Sequence, residues 1–246
     1  MEKKNMLVVS AHAADFCTRA GGTIAKYAGD GWKVQVIAVT YGARGESSGY
    51  WQANPNGTCE DCGEIRRREA HAAADRLGAA IEFWEYLDYP LYFDEERQRR
   101  LTRAILDLRP AVVLTHWIED PTNSDHEKTG RAVIDAISSG AQIGAFPTTP
   151  PHAFPDVFFF ESTVPYSEFN NFSPDTYIDI GDTFAAKMEA IACFACQPQL
   201  RDYYVHFARH RGFQATNWLK RKIANAEAFK RYLPYVGTAF PLMERR

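Results

Sequence analysis

The sequence predicts an α/β fold, a Rossmann-like, mostly parallel sheet with helices on both faces. Three observations predict it. Short, nearly continuous apolar runs such as "LVV" and "VQVIAV" alternate along the chain with longer segments of helical period. The runs are rich in β-branched residues and apolar on both sides, as strands buried on two faces must be. Glycines close the helical segments, and strand–helix alternation of this kind builds parallel sheets.

The elements follow in order. "MLVVSAH" reads as the first strand, and "RAGGTIAKYAGDG" as a helix closed by Gly31. "KVQVIAVT" is the second strand, followed by a Gly-rich loop, "YGARGESSGYWQANPNGTCEDCG". "EIRRREAHAAADRLGA" has apolar spacing near 3.6 and ends at Gly78. "AIEFWEY" is a third strand, "EERQRRLTRAILDLR" a helix, "AVVLTHW" a fourth strand and "DHEKTGRAVIDAISSGA" a helix. "DVFFFES" and "TYIDIG" are strands, and the remainder reads as largely helical. "FPTTPPHAFPD" is a rigid loop rather than a boundary. The expectation is a single domain over residues 1–246, with C-terminal helices packed on the sheet.

The composition narrows the function. With 46% hydrophobic and 24% charged residues, 246 residues can close a core. A net charge of −3 supplies no basic field for nucleic acid or membrane. No apolar run approaches the roughly 18–20 residues of a membrane span, and the run after Lys4 is too short for a signal-peptide core. A cytoplasmic protein is expected. The five cysteines include "CEDC", placed in the polar loop, and "CFAC", placed on an amphipathic helix. A four-thiolate zinc site is conceivable from these pairs, but independent reduced thiols are the expectation.

Ionisable residues gather where strands end. His12 and Asp15 follow the first strand, Arg44 and Glu46 the second, and Asp88 the third. The fourth ends at His116, and its loop carries Asp120, Asp125 and His126. Ligands of open α/β sheets collect at this edge, near a switch in strand order. Taken singly, His12 could be a core residue and Asp15 a helix N-cap. Taken together, His12, Asp15 and His126 form a metal set of two imidazoles and one carboxylate, which leaves positions open for water or substrate. Zinc is the first expectation; iron(II) or another divalent ion also suits these donors.

These words resemble a family. "VVSAHAADF" looks like the opening signature of the PIG-L/LmbE-like zinc de-N-acetylases, usually Ala-His-Pro-Asp-Asp-Glu, and "NSDH" like their second motif, usually His-Pro-Asp-His. The likeness continues through Arg66 and Glu69 in "IRRREA" and into "AEAF". It implies His12, Asp15 and His126 as metal ligands, with Asp125 handling protons or supporting a ligand. Ala14, however, stands where those deacetylases carry their general base, and Phe16 and Asn123 replace a Glu and a His. A methyl group cannot take a proton, which argues against ordinary amide hydrolysis. A hydratase branch of the family, acting on 4-oxalomesaconate (4-carboxy-2-hydroxymuconate) in aromatic-acid catabolism, is similar in the altered signature, in "RGES", "DYPL", "LTH" and "RGFQA". That branch has a catalytic His shortly after the fifth-strand Phe-Glu, where this chain offers Ser162, Thr163 and Tyr166.

The expected activity is metal-dependent addition of water to, or its elimination from, an unsaturated oxo- or hydroxy-carboxylic acid. Glu46 is expected to move the proton, with Asp125 and His116 as further catalytic candidates. Arg44, Arg66 and Arg211 are candidates to clamp substrate carboxylates, although arginine-rich helix faces are commonly just solvated. Relatives imply a homo-oligomer. The alternative is a zinc-dependent de-N-acetylase with a relocated base; a ligand-binding member without activity and a dinucleotide binder are further rivals, the last lacking G-x-G-x-x-G order.

Overall fold

The computed structural model describes residues 4–164 and 167–243. Its strands are β1 (Asn5–Ser10), β2 (Lys33–Thr40), β3 (Ala80–Tyr86), β4 (Val112–His116), β5 (Asp156–Phe160), β6 (Thr176–Asp179) and β7 (Ala226–Arg231). They form one sheet in the order β3-β2-β1-β4-β5-β7-β6. The pairs from β3 through β5 are parallel, and β7 runs antiparallel to both its neighbours. The α/β class and the mostly parallel sheet are as the sequence predicts.

Helices cover both faces. The principal ones are α1 (Asp15–Gly29), α2 (Ser48–Ala53), α3 (Cys59–Leu77), α4 (Glu95–Leu108), α5 (Ser124–Gly140), the short α6 (Ser167–Asn170), α7 (Phe184–Ile191) and α8 (Leu200–Leu219). Met6 and Val8 of β1, with Val34 and Val36 of β2, pack against Ala20 and Ile24 of α1, Leu77 of α3 and Ile191 of α7. Leu7, Val9, Ile37 and Val39 face the other way, onto Leu101 and Ile105 of α4 and Val133 and Ile137 of α5. Alternation along each strand thus feeds two cores, which is why the strands read as unbroken apolar runs. Gly31 and Gly78 take the left-handed conformation at helix ends (φ 84° and 70°), where a Cβ is costly.

Three local expectations are corrected. The segment read as largely helical after residue 181 also contains β7, disguised by Glu227. That buried carboxylate accepts hydrogen bonds from the Gly22 and Thr23 amides (2.9 and 2.8 Å) and pairs with Lys187 Nζ at 2.6 Å. Polar in sequence and satisfied in space, it breaks the apolar pattern of a buried strand. "CEDC" is no loop: Thr58 caps α3 by accepting from Asp61 N (3.0 Å), so Cys59 and Cys62 lie in the helix's first turn. "CFAC" falls in the turn between α7 and α8 rather than on a helix.

The sheet order places the carboxyl ends of β1 and β4 side by side. Connections leave β1 toward β2 and β3 on one side, and β4 toward β5 on the other. This is the topological switch point, and the polar strand ends converge there.

Candidate metal centre

β1 passes through residues 11–14 directly into α1, and this turn folds His12 and Asp15 together. The Asp15 amide donates to the His12 carbonyl (3.3 Å), and the His12 amide donates to Asp15 Oδ2 (2.8 Å). Asp15 is therefore the first helical residue rather than the cap, which is Ala14. From β4, the chain enters α5 through Asn123, whose Oδ1 caps the helix by accepting from Asp125 N (3.2 Å). That cap sets His126 in the first turn of α5, facing the β1 turn.

His12 Nδ1, Asp15 and His126 Nε2 close a triangle. Its edges are 3.2 Å between the two nitrogens, 3.3 Å from His12 Nδ1 to Asp15 Oδ2 and 3.5 Å from His126 Nε2 to Asp15 Oδ1. With one ligand atom taken from each residue, the three donors lie within 4.8 Å of one another, close enough to share one ion after small side-chain adjustments. All three side chains are buried. Among the described residues, no other cluster of His, Cys, Asp and Glu approaches this closely.

Carboxylates hold both imidazoles from behind. Asp120 Oδ2 lies 2.8 Å from His126 Nδ1, which places that ring's proton on Nδ1 and leaves Nε2 bare. Asp125 Oδ2 lies 3.5 Å from His12 Nε2, an ion-pair distance rather than a hydrogen bond. Asp125 also accepts from the Tyr89 and Leu91 amides (2.8 and 2.9 Å). Burial pulls the His12 pKa down, but Asp125, Asp15 and Glu46 outweigh it and raise it to about 10. Burial pushes Asp15 up, but His126 and His116 outweigh it and hold its carboxyl well below the usual range. The triangle is built to receive positive charge.

His116 lies beneath the triangle. Its ring stacks on His126 at 4.1 Å between centroids, its Nε2 accepts the Ala11 amide (2.9 Å), and burial with the neighbouring His126 lowers its pKa to about 3. Its geometry is that of a neutral floor.

Glu46 stands at the open side, with Oε1 4.0 Å from His12 Nδ1. Tyr89 Oη donates to Oε1 (3.1 Å), Asn123 Nδ2 to Oε1 (2.9 Å) and Gln197 Nε2 to Oε2 (3.0 Å). The Tyr89 ring is stacked on His12 at 5.8 Å. Asp88 ties down the loop by accepting from the Arg44 and Gly45 amides (2.9 and 2.8 Å).

The three arginines separate. Arg44 is exposed at the rim, with one bond from Nη1 to the Asp88 carbonyl (3.3 Å). Arg66 is fully buried, donating to the Tyr41 carbonyl (3.2 Å) and Glu69 (3.3 Å) with its guanidinium over the Phe194 ring. Arg211 is buried in a pair with Glu161 and donates to Gln214 (2.6 Å). Neither of these two is an open fork at the rim. Thr163 accepts from Arg19 Nη2 (3.1 Å) and donates its amide to Asp120 (2.9 Å), while Ser162 donates to the Glu119 carbonyl (2.8 Å). Tyr166 lies outside the described residues.

Several site residues escape the sequence reading. Asp120 is six residues before His126 and was visible only as one more strand-end carboxylate. Arg19, 3.6 Å from Asp15 Oδ1, sits one helical turn on, a spacing that could have flagged it. Tyr89 and Gln197 carry no local signal, since Gln197 is 151 positions from the Glu46 it holds.

Residues 7–137 match the family described as PIG-L, GlcNAc-PI de-N-acetylase. The chain is 37% identical over 238 residues to 4-oxalmesaconate hydratase of Pseudomonas putida strain KT2440, covering 95% of this chain and 91% of that protein. It superposes with a TM-score of 0.92 on the crystal structure of GalB, the 4-carboxy-2-hydroxymuconate hydratase of P. putida KT2440, at 36% identity over 97% of this chain and 100% of that one. N,N'-diacetylchitobiose deacetylase from Pyrococcus horikoshii shares the fold, with a TM-score of 0.78 at 21% identity over 94% of this chain and 84% of that one.

Proposed function

The chain belongs to the PIG-L family, and we propose that within it this protein is a metal-dependent hydratase. It adds water to, or eliminates it from, the conjugated double bond of an unsaturated oxo- or hydroxy-carboxylic acid of aromatic catabolism. One observation carries this reading. Position 14 holds a buried alanine where the deacetylase signature carries its base, and among the described residues the carboxylate poised beside the ligand triangle with an exposed edge is Glu46.

His12, Asp15 and His126 would hold the ion, read as zinc with iron(II) as the alternative. When bound, such an ion supplies a Lewis acid that stabilises negative charge on a substrate oxygen. The rest falls to side chains. Glu46, oriented by Tyr89, Asn123 and Gln197, moves the proton between water and the reacting carbon. The exposed Arg44 guanidinium meets a substrate carboxylate at the rim. Asp125 and Asp120 fix the two imidazole rings, His116 floors the site, and Arg66 and Arg211 support the surrounding loops. Among the described residues no helix is long and apolar enough to cross a membrane, in keeping with a cytoplasmic enzyme. Exposed Val236, Phe240 and Leu242 in the C-terminal segment are in keeping with a homo-oligomer.

The test follows ultraviolet absorbance of 4-carboxy-2-hydroxymuconate, which falls as hydration breaks the conjugation, in parallel with acetate release from N-acetylglucosamine conjugates. Hydration is the expected activity. Acetate release without hydration would assign the site to amide hydrolysis, with Glu46 as a relocated base.

A further inference from the structure

Outside the metal centre, the cysteines of "CEDC" remain unexplained. Cys59 and Cys62 occupy the first turn of α3 three residues apart, and a helix sets such Cα atoms about 5 Å apart. That separation lies within the roughly 4.4–6.8 Å spanned by disulfides. The two thiols differ in access: Cys59 is exposed, and Cys62 is fully buried. The pair thus combines one thiol that a soluble reagent can reach with a second that can resolve the adduct.

We propose that Cys59 and Cys62 form a redox-active dithiol site for low-molecular-weight disulfides, and that its oxidation loosens the loop carrying Glu46. The Cys59 thiolate attacks a small disulfide RSSR, forming a mixed disulfide and releasing one RSH. Cys62 then displaces the second RSH, closing the Cys59–Cys62 bond, so two protein thiols are oxidised and one RSSR is reduced to two RSH.

The coupling runs through Cys62. Its Sγ donates to the Ala43 carbonyl (3.6 Å), which also accepts from Trp51 Nε1 (2.7 Å), three residues before Glu46. Cys62 packs with Ala43, Tyr50 and Cys196. The Cys196 carbonyl accepts the Gly49 amide (3.0 Å), and the next residue, Gln197, holds Glu46 Oε2. Turning Sγ toward Cys59 withdraws it from beneath this loop.

The experiment equilibrates the full chain with mixtures of reduced and oxidised glutathione, then counts free thiols by alkylation and maps them by mass spectrometry. The expected count falls from five to three, with the bond mapped to Cys59–Cys62. Cys196→Ser should still lose two thiols, and Cys59→Ser should form no internal disulfide. Backbone hydrogen exchange over residues 41–53 should quicken on oxidation of the parent and stay unchanged in oxidised Cys59→Ser. A count that holds at five, or a bond mapped to another pair, overturns the site. Unchanged exchange in the oxidised parent overturns the coupling. Neither readout depends on the hydratase activity.

Discussion

His12 Nδ1 and His126 Nε2 face each other across 3.2 Å, yet each ring turns its other nitrogen to a carboxylate, Asp125 for one and Asp120 for the other. Both facing nitrogens and the Asp15 carboxylate converge in a buried space that calls for positive charge. A protonated His12 supplies it by itself, and a divalent ion between the two deprotonated nitrogens would supply it in its place. A buried carboxylate is costly without a positive partner, and these donors can exchange the His12 proton for a metal ion.

Purified protein is accordingly expected to carry one divalent ion per chain, measurable by elemental analysis after gel filtration. Replacing both His12 and His126 by Ala should abolish it. Adding zinc to stripped parent should raise the melting temperature, since a ligand at 100 times its Kd stabilises by about 2.7 kcal/mol. A double variant that retains its ion would remove the proposed centre.

Glu46→Gln preserves shape and hydrogen bonding but cannot accept a proton. Turnover should fall on the order of 10²–10⁴-fold while the ion stays bound. Tyr89→Phe removes one of three donors to that carboxylate and should cost about 1 kcal/mol, less than tenfold in rate. Steady-state hydration kinetics with metal content measured alongside would decide; full turnover in Glu46→Gln would place the proton elsewhere.

The sequence made the sheet legible because strands buried on both faces are apolar without interruption, as in β1 and β2. It made the ligand triangle legible because His12, Asp15 and His126 fall at strand ends. β7 was hidden because Glu227 is satisfied by amides some 200 residues away, which no local pattern encodes. The same holds for Gln197, which reaches Glu46 from the turn before α8. Arg66 illustrates the reverse: a run of three arginines suggests a solvated face, yet one is wholly buried beneath the loop.

Asp125 gives a pH signature. Burial pushes its carboxyl up, but His12 and the Tyr89 and Leu91 amides outweigh it and lower it from 3.8 to about 2. A depressed folded pKa contributes stability above the unfolded value, lost as pH falls through the folded one; here the difference amounts to about 2 kcal/mol. In metal-stripped protein, where His12 carries its own charge, Asp125→Asn should therefore be less stable than the parent near neutrality, with the gap narrowing between pH 3.8 and 2. Urea denaturation across that range checks it, and a gap independent of pH would refute the assignment.

Gly130 sets the distance between α5 and the end of β4. A Cβ there would lie 2.3 Å from the His116 carbonyl oxygen, a backbone atom that cannot swing aside. Gly130→Ala must push the helix outward at an overpacking cost of about 1–3 kcal/mol. His126 lies one turn earlier on the same helix, so the shift should open the triangle and weaken metal retention in proportion. Gly29→Ala is the matched control, because nothing lies within 4 Å of its Cβ, and it should leave both properties intact. Thermal melts and competitive chelator titrations of the two variants separate the outcomes. Equal metal affinity in Gly130→Ala and the parent would show that α5 does not set the His126 position through this contact.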